Sequence, residues 1–287
     1  MTGHAERDRR RLGIVPLPRT GGFGALLREA RRADLVLCGG GGLFQDDDSL
    51  VKMPYWAARL TLLRALTRRV AGFAIGAGPL EHPASRLFAR AALRSLEPVT
   101  VRDALAAAAL APLTHKPVSV VPDPAFMLEP APARAAAETL AAAGVPAGKP
   151  LVGVALRRWF HKGRDLLPYK YAAMLGLRSG RGRTQMATLV ERRAATLDRV
   201  LAAAGAHAVF LPTYNVPHEN DAEVCAAIAR RMRSAEPTLL ALDDPALYKA
   251  VAGRTASPSC GPRSSRRARA RRWWGCPTTR SSPARSR

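Results

Sequence analysis

The chain lacks the features that define several broad classes of protein. No apolar run approaches the roughly eighteen residues that cross a bilayer, and no charged-then-apolar leader opens the sequence. Four cysteines, Cys38, Cys225, Cys260 and Cys276, form no C-x-x-C pair and have no histidine at zinc spacing. That pattern indicates neither a metal knuckle nor a disulfide framework, and fits a reducing cytoplasm. No G-x-G-x-x-G opens a helix and no Walker loop is present, so both common nucleotide fingerprints are missing. From Arg254 to Arg287 there is no Leu, Ile, Val, Phe or Met. Such a stretch has too little apolar surface to offset the entropy of ordering and is expected to be disordered.

Arginine, by contrast, is abundant. The formal charge is +23, a value that raises nucleic acid and anionic membranes as partners. Ten arginines and no acidic residue lie in Arg254–Arg287, which leaves +13 for the rest of the chain. There Arg9, Arg10, Arg68, Arg69, Arg192 and Arg193 fall on helix faces or element ends, the positions of solvated surface charge. No specific nucleic acid is expected. Peripheral contact with a membrane stays open.

The most informative segment runs from Ala33 to Asp47, a short apolar stretch that ends in Gly39-Gly40-Gly41-Gly42 and then an acidic cluster. It reads as a buried parallel strand feeding a ligand loop, because open α/β sheets bind ligands past the carboxyl ends of their strands. Gly40, Gly41 and Gly42 let the backbone turn sharply and bring N–H groups against a phosphate, carboxylate or sugar oxygen. Gln45 and Asp46 stand at the mouth of that loop. The alternative is a tight turn that lets a helix pack closely.

Strand-like runs at Val70–Ile75, Val99–Arg102, Val118–Val121, Leu151–Leu156 and His207–Leu211 alternate with helical patterns at Tyr55–Arg68, Ala84–Ser95, Ala133–Ala143, Leu189–Ala204 and Asp221–Met232. This alternation predicts an α/β fold with parallel sheets and crossover helices. A weak strand is expected at Leu12–Leu17, and a basic, loop-like insertion from Gly163 to Met186, with a short helix at Tyr169–Leu177 as its alternative. The expected organisation is an N-terminal domain over 1–130 with its front strands missing, a linker over 131–149, an incomplete C-terminal domain over 150–253, and the basic tail 254–287. That tail resembles out-of-frame translation: Arg271–Arg280, read two bases later, permits Pro-Val-Val-Gly-Leu-Ser-Tyr-Asp-Pro.

Five segments line up at predicted strand ends: Gly39–Asp47, Ala74-Ile75-Gly76-Ala77-Gly78-Pro79, Val101-Arg102-Asp103, Pro122-Asp123-Pro124-Ala125-Phe126 and Val154-Ala155-Leu156-Arg157-Arg158-Trp159. In this order, over roughly Ala33 to Lys249, they resemble the polysaccharide pyruvyl transferase family, whose pattern runs G-G-G-x-L-x-Q-D, G-Q-G-I-G-P, V-R-D, D-P-A-F and V-S-V-R-P-W. Ala74, Ile75 and Ala77 replace the usual Gly, Gln and Ile, and Ala155 and Arg158 replace Ser and Pro. The family's opening glycine- and asparagine-rich loop and its later R-x-H element are not found, so both domains are expected to be truncated and this copy to be inactive.

The resemblance implies two Rossmann-like domains of GT-B type facing across a cleft, and transfer of a pyruvyl group from phosphoenolpyruvate to a glycan or lipid-linked sugar, giving a cyclic ketal. No cofactor and no metal is demanded. Work on lipid-linked material would take place in the cytoplasm, at the inner face of the membrane. The chemistry needs an acid for the donor's methylene carbon, cations for its phosphate and carboxylate, and a base for the sugar hydroxyls. Arg157, at a strand end in the matching family position, is the candidate anion clamp, since guanidinium binds carboxylate or phosphate bidentately. Asp46 is the candidate for orienting or deprotonating a hydroxyl. Arg102 and Asp103 are either ligands or an internal ion pair, and Asp123 before Pro124 reads as a turn former. His161 and His218 are further candidates for substrate binding, the alternative being solvated loop residues. The competing functions are a GT-B glycosyltransferase using a sugar nucleotide, which would need an acidic nucleotide-gripping residue, and a noncatalytic basic binding protein.

Overall fold

In a computed structural model, residues 9–10, 13–17, 22–47, 49–156, 181–216, 219–233 and 236–255 are described. They form an α/β protein in which both larger sheets are parallel, and the chain divides into two compact units.

The first unit takes in the described residues up to Glu129. Its elements are α1 (Phe23–Arg32), β1 (Val36–Gly39), β2 (Gly42–Phe44), α2 (Lys52–Leu66), β3 (Val70–Ala77), α3 (Pro83–Arg94), β4 (Val99–Val101), α4 (Ala104–Leu110) and β5 (Val118–Val120), with 3-10 turns at Ala111–Leu113 and Pro124–Met127. The sheet order is β1-β3-β4-β5, and β2 pairs with β3 beyond the end of β1. Val36 stands opposite Val70 and Val99 opposite Val118. Proline starts α3 at a position where its missing N–H costs nothing, and the His82 ring nitrogen accepts from the Ala84 N–H at 3.2 Å. Cys38, Phe44, Val70, Ile75, Val99 and Val101 pack with Met53, Leu60, Leu93, Ala106 and Leu110 in one core.

Residues that alternate with these point to the opposite face of the sheet. Leu35, Leu37 and Phe73 are there, 47%, 60% and 44% exposed, and among the described residues no helix covers them. They line a groove bordered by Asp34, Arg68 and Arg69.

Strand β3 is kinked in the middle. Its register against β4 shifts between Gly72 and Ile75, and Ala74 adopts φ +47°. Thr100 holds the kink: its hydroxyl accepts from the Ala74 N–H at 3.0 Å and donates to the Gly72 carbonyl at 3.0 Å. Ala74 occupies the position where the family pattern carries glycine, and an L-residue in this conformation is strained by about 1–2 kcal/mol.

The core of the second unit is built from 130–156, 189–215 and 220–255. Its elements are α5 (Ala133–Ala142), β6 (Leu151–Val154), α6 (Arg181–Ala204) from Leu189 onward, β7 (His207–Phe210), α7 (Asp221–Ala229), β10 (Thr238–Leu239) and α8 (Pro245–Gly253), and the short strands β8 (Asn215–Val216) and β9 (Glu219–Asn220) are shared with the first unit. The order β10-β7-β6 puts β7 in the centre, which explains why all four of its residues are buried. Val209 and Leu211 pack with Ala136 and Leu140 of α5 and with Ala250 and Val251 of α8. The stretch set apart in sequence as a linker therefore contributes a helix to this unit's core.

Two sequence expectations are corrected. Residues 13–17 form no strand: Gly13 sits at φ +63° and the five residues Gly-Ile-Val-Pro-Leu include a proline that cannot donate to a ladder. Helix α6 begins at Arg181, inside the segment expected to be loop-like, because Arg, Gln, Met and Ala are good helix formers and a single glycine at 182 is tolerated. The remainder of that segment, the Tyr169–Leu177 alternative and the tail beyond Thr255 lie outside the described residues. No helix among those described is long and apolar enough to cross a membrane.

These contacts generate two expectations. Valine normally suits a buried parallel strand better than alanine, yet Ala74→Val should destabilise by about 2 kcal/mol or more because a β-branched side chain is a severe outlier at positive φ. Ala74→Gly should fall within about 1 kcal/mol of the parent, since relief of strain offsets the lost methyl packing and the added chain entropy. Urea denaturation of the two variants checks the pair. The second expectation concerns His207, which is buried and linked through Nε2 to Thr238 Oγ1 at 2.9 Å, tying β7 to β10. Burial, with a lesser effect of Lys149, holds its pKa below the ordinary 6.5. The unfolded chain binds this proton more readily, so the stability it contributes is complete above pH 6.5 and declines as pH falls below it. Urea midpoints across that range should drop with pH, and His207→Gln should reduce the drop.

Candidate functional site

The polar and glycine-rich residues of the first unit gather at the carboxyl ends of its strands. After Gly39 the chain turns through Gly40 and Gly41 at φ +75° and +73°, then resumes pairing with β3 at Gly42. Two successive residues in this conformation call for glycine. Close approach adds a second demand. A Cβ on Gly76 would lie 2.8 Å from the Gly41 carbonyl oxygen and 3.0 Å from Arg102 Cζ, so the loop and the guanidinium meet over bare backbone. The Gly76 N–H donates to that same carbonyl at 2.9 Å. Gln45 folds back over Gly42, and its Cβ would stand 3.1 Å from a Cβ on Gly78. A Cβ at Gly40 or Gly41 would meet nothing within 4 Å, so the turn itself faces open space.

Arg102 follows β4 and is held from two sides. Its Nε lies 3.6 Å from Asp103 Oδ2, and its Nη1 donates to Asp123 Oδ2 at 3.4 Å. The second oxygen of each carboxylate caps a helical turn: Asp103 Oδ1 accepts from the Ala106 N–H at 2.7 Å and Asp123 Oδ1 from the Ala125 N–H at 3.0 Å. Asp123 is thus both the turn former read from the sequence and a partner of Arg102. Sequence reasoning left it out of the site, although the D-P-A-F segment was in view.

Asp46 is placed differently from its neighbours. It is fully buried, with Oδ1 accepting from the Glu81 N–H at 3.3 Å and Oδ2 from the His82 N–H at 2.8 Å, while its own N–H donates to the Pro79 carbonyl at 3.1 Å. These bonds tie the loop after β2 to the start of α3. Arg157, His161 and His218 lie outside the described residues.

The second unit has its own buried polar group at the end of β7. Asp221, the first residue of α7, accepts from Thr213 Oγ1 at 3.2 Å and from the Tyr214 N–H at 3.1 Å. Nearby, Tyr248 donates to the Leu211 carbonyl at 3.2 Å, and burial, then the charges of Cys225 and Asp221, push its pKa up to about 12. Burial raises the Cys225 thiol to about 11, and the Cys38 thiol of the first unit likewise to about 11, so both are protonated and unreactive at neutral pH. None of these was singled out as a site residue. Among the described residues no three His, Cys, Asp or Glu side chains are grouped so as to hold a metal ion.

Parallel strands with crossover helices and a glycine-rich loop at the strand ends make this a mixed α/β protein with parallel sheets, an arrangement consistent with a Rossmann-like fold. Compared with models of known families, residues 5–193 match polysaccharide pyruvyl transferase. The match spans well over half of the chain, which therefore belongs to that family. A comparison with curated proteins finds no match.

Asp46→Ala should lower stability by about 1–3 kcal/mol, because two backbone donors lose their acceptor within a packed loop. Asp46→Asn, which keeps one acceptor, should cost less. Thermal and urea unfolding of the two variants measure the difference, and equal stability of Asp46→Ala and the parent would refute this account of the loop.

Proposed function

We propose that the chain carries polysaccharide pyruvyl transferase chemistry with phosphoenolpyruvate as donor and a sugar of a cell-surface polysaccharide precursor as acceptor, on a GT-B-type pair of Rossmann-like domains. Family membership already implies pyruvyl transfer and a polysaccharide acceptor. The observation that carries the finer reading is the strand-end assembly of the first unit, where the open glycine turn, Gln45 and the Asp103–Arg102–Asp123 group converge. Arg157 serves as the clamp on the donor's phosphate and carboxylate. Asp46, buried and fully engaged, fixes the loop that presents Gln45 and Gly40–Gly42 instead of touching the substrate itself.

The reaction is balanced as follows. A proton adds to the methylene carbon of phosphoenolpyruvate, two sugar hydroxyl oxygens form bonds to the adjacent carbon, and the bond from that carbon to the phosphate oxygen breaks. Inorganic phosphate leaves, and the two hydroxyl protons replace those taken up by the methyl group and by phosphate. The general acid for the first step belongs to the family's R-x-H element, which this sequence does not contain. We therefore expect no ketal from the 287-residue chain alone.

Binding is the direct test. In titration calorimetry phosphoenolpyruvate should bind and a uridine diphosphate sugar should not, and Arg157→Ala should weaken donor binding roughly tenfold or more, as loss of a charge-assisted contact does. Binding of the sugar nucleotide without phosphoenolpyruvate would overturn the proposal in favour of a glycosyltransferase. Ketal formation by the unmodified chain, read by mass spectrometry, would overturn the assignment of the acid.

A further inference from the structure

The crossover helices of the first unit lie on one face of its sheet. Each of α2, α3 and α4 joins a strand to its next neighbour in the order β1-β3-β4-β5, and right-handed crossovers that advance in one direction place their helices on the same side. Met53, Leu60, Leu93, Ala106 and Leu110 accordingly share one core, and α2 packs against α3. The side that these two helices turn away from the core is unusual. A surface helix normally exposes polar residues there. On α2, from its N-cap onward, the outward stripe at i, i+4, i+7, i+11 and i+14 is instead Val51, Tyr55, Ala58, Leu62 and Ala65, all exposed. On α3, Leu87 and Phe88 are 62% and 37% exposed.

The polar residues that accompany this apolar surface are of one sign. Together α2 and α3 carry six Lys and Arg side chains and no Asp or Glu. Arg86, Arg90 and Arg94 repeat at every fourth position of α3 and are exposed. On α2 the Arg59 guanidinium stands 5.7 Å from the centre of the Tyr55 ring and 5.9 Å from that of Trp56, with Nη1 donating to the Tyr55 hydroxyl. Guanidinium is weakly hydrated and, set against aromatic rings, keeps its charge beside apolar surface.

Few partners meet both demands. Duplex nucleic acid would place phosphates on the arginines but offers its sugar-phosphate backbone to Val51, Leu62 and Leu87. A second copy would oppose like charge to like charge. An anionic bilayer supplies phosphates for the cations, an acyl boundary for the aliphatic side chains, and the headgroup level that tyrosine and tryptophan favour. We propose that the outer surface of α2 and α3 docks the protein on an anionic phospholipid membrane. No described helix can cross the bilayer, so the contact is peripheral. Docking requires neither of the substrates named above.

Flotation of the full chain with lipid vesicles tests this. The chain should float with vesicles of phosphatidylcholine and phosphatidylglycerol and stay behind with phosphatidylcholine alone. Arg86→Gln, Arg90→Gln, Arg94→Gln should lower partition onto the anionic vesicles roughly tenfold or more. Leu62→Ser, Leu87→Ser changes no charge and touches only exposed positions, yet should lower it several-fold, and the loss should persist at about 1 M salt, where surface charges are screened. Far-UV circular dichroism checks that both variants are folded. Arg266→Gln, Arg267→Gln, Arg269→Gln removes as many charges from the basic tail and should weaken binding less than the α3 variant. A tail variant that loses as much or more would place the binding in the tail and overturn the proposal. Failure to float with anionic vesicles, or an unchanged partition of the leucine variant, would overturn it too. Duplex DNA binding that is lost in the α3 variant, without vesicle binding, would assign the surface to nucleic acid instead.

Discussion

The first unit depends on one backbone contact, the Gly76 N–H donating to the Gly41 carbonyl with no side chain on either residue. A parallel strand interrupted by two residues at positive φ would normally lose its place in the sheet. Here the bond catches the chain as it leaves the turn, so β2 continues along β3 and carries Phe44 into the core and Gln45 to the surface. Bare backbone at Gly76 is also what lets the Arg102 side chain lie across β3 from the neighbouring strand. Any side chain there would push the loop and the arginine apart together. The core, the loop and the charged group are therefore coupled through a position that has no side chain of its own.

The parts of the fold written in short-range pattern were legible. Strands β3, β4, β5, β6 and β7 lie within or beside the apolar runs that forecast them, and α2, α3, α5 and α7 start within three residues of expectation. Elements whose signals are ambiguous were not. Helix α1 carries four arginine or glutamate side chains and begins after glycines without an acidic first turn. Helix α8 opens with Asp244 and Pro245, a good start signal, but is only nine residues long. Strand β2 is hidden in a glycine run because its pairing comes from β3 and not from its own composition.

The site shows the same division. That Gly40–Gly42, Gln45, Arg102 and Asp103 lie at strand ends follows from the order of motifs along the chain, and they converge in one unit. What sequence could not show is which oxygen each carboxylate spends where. Asp46 and Asp123 are both acidic residues in loops after strands, yet one is sealed beneath the start of α3, some 35 residues onward, and the other reaches back 21 residues to an arginine. Only tertiary contacts separate a loop anchor from a surface charge, and those contacts decide the charge that a ligand meets.

The two sheets also differ in how they are covered. Strand β7 is buried on both sides and flanked by neighbours on both edges, whereas among the described residues β1 is bonded to β3 alone, and Leu37 on it and Leu35 just before it face water. Hydrogen bonds at such a margin are exchanged for bonds to water at little cost, because breaking them exposes apolar surface that is already wet. The β1 edge is therefore one margin at which this sheet opens readily, and the glycine loop, which continues that strand, lies on it. A ligand that grips the loop would be felt chiefly as a slowing of that opening.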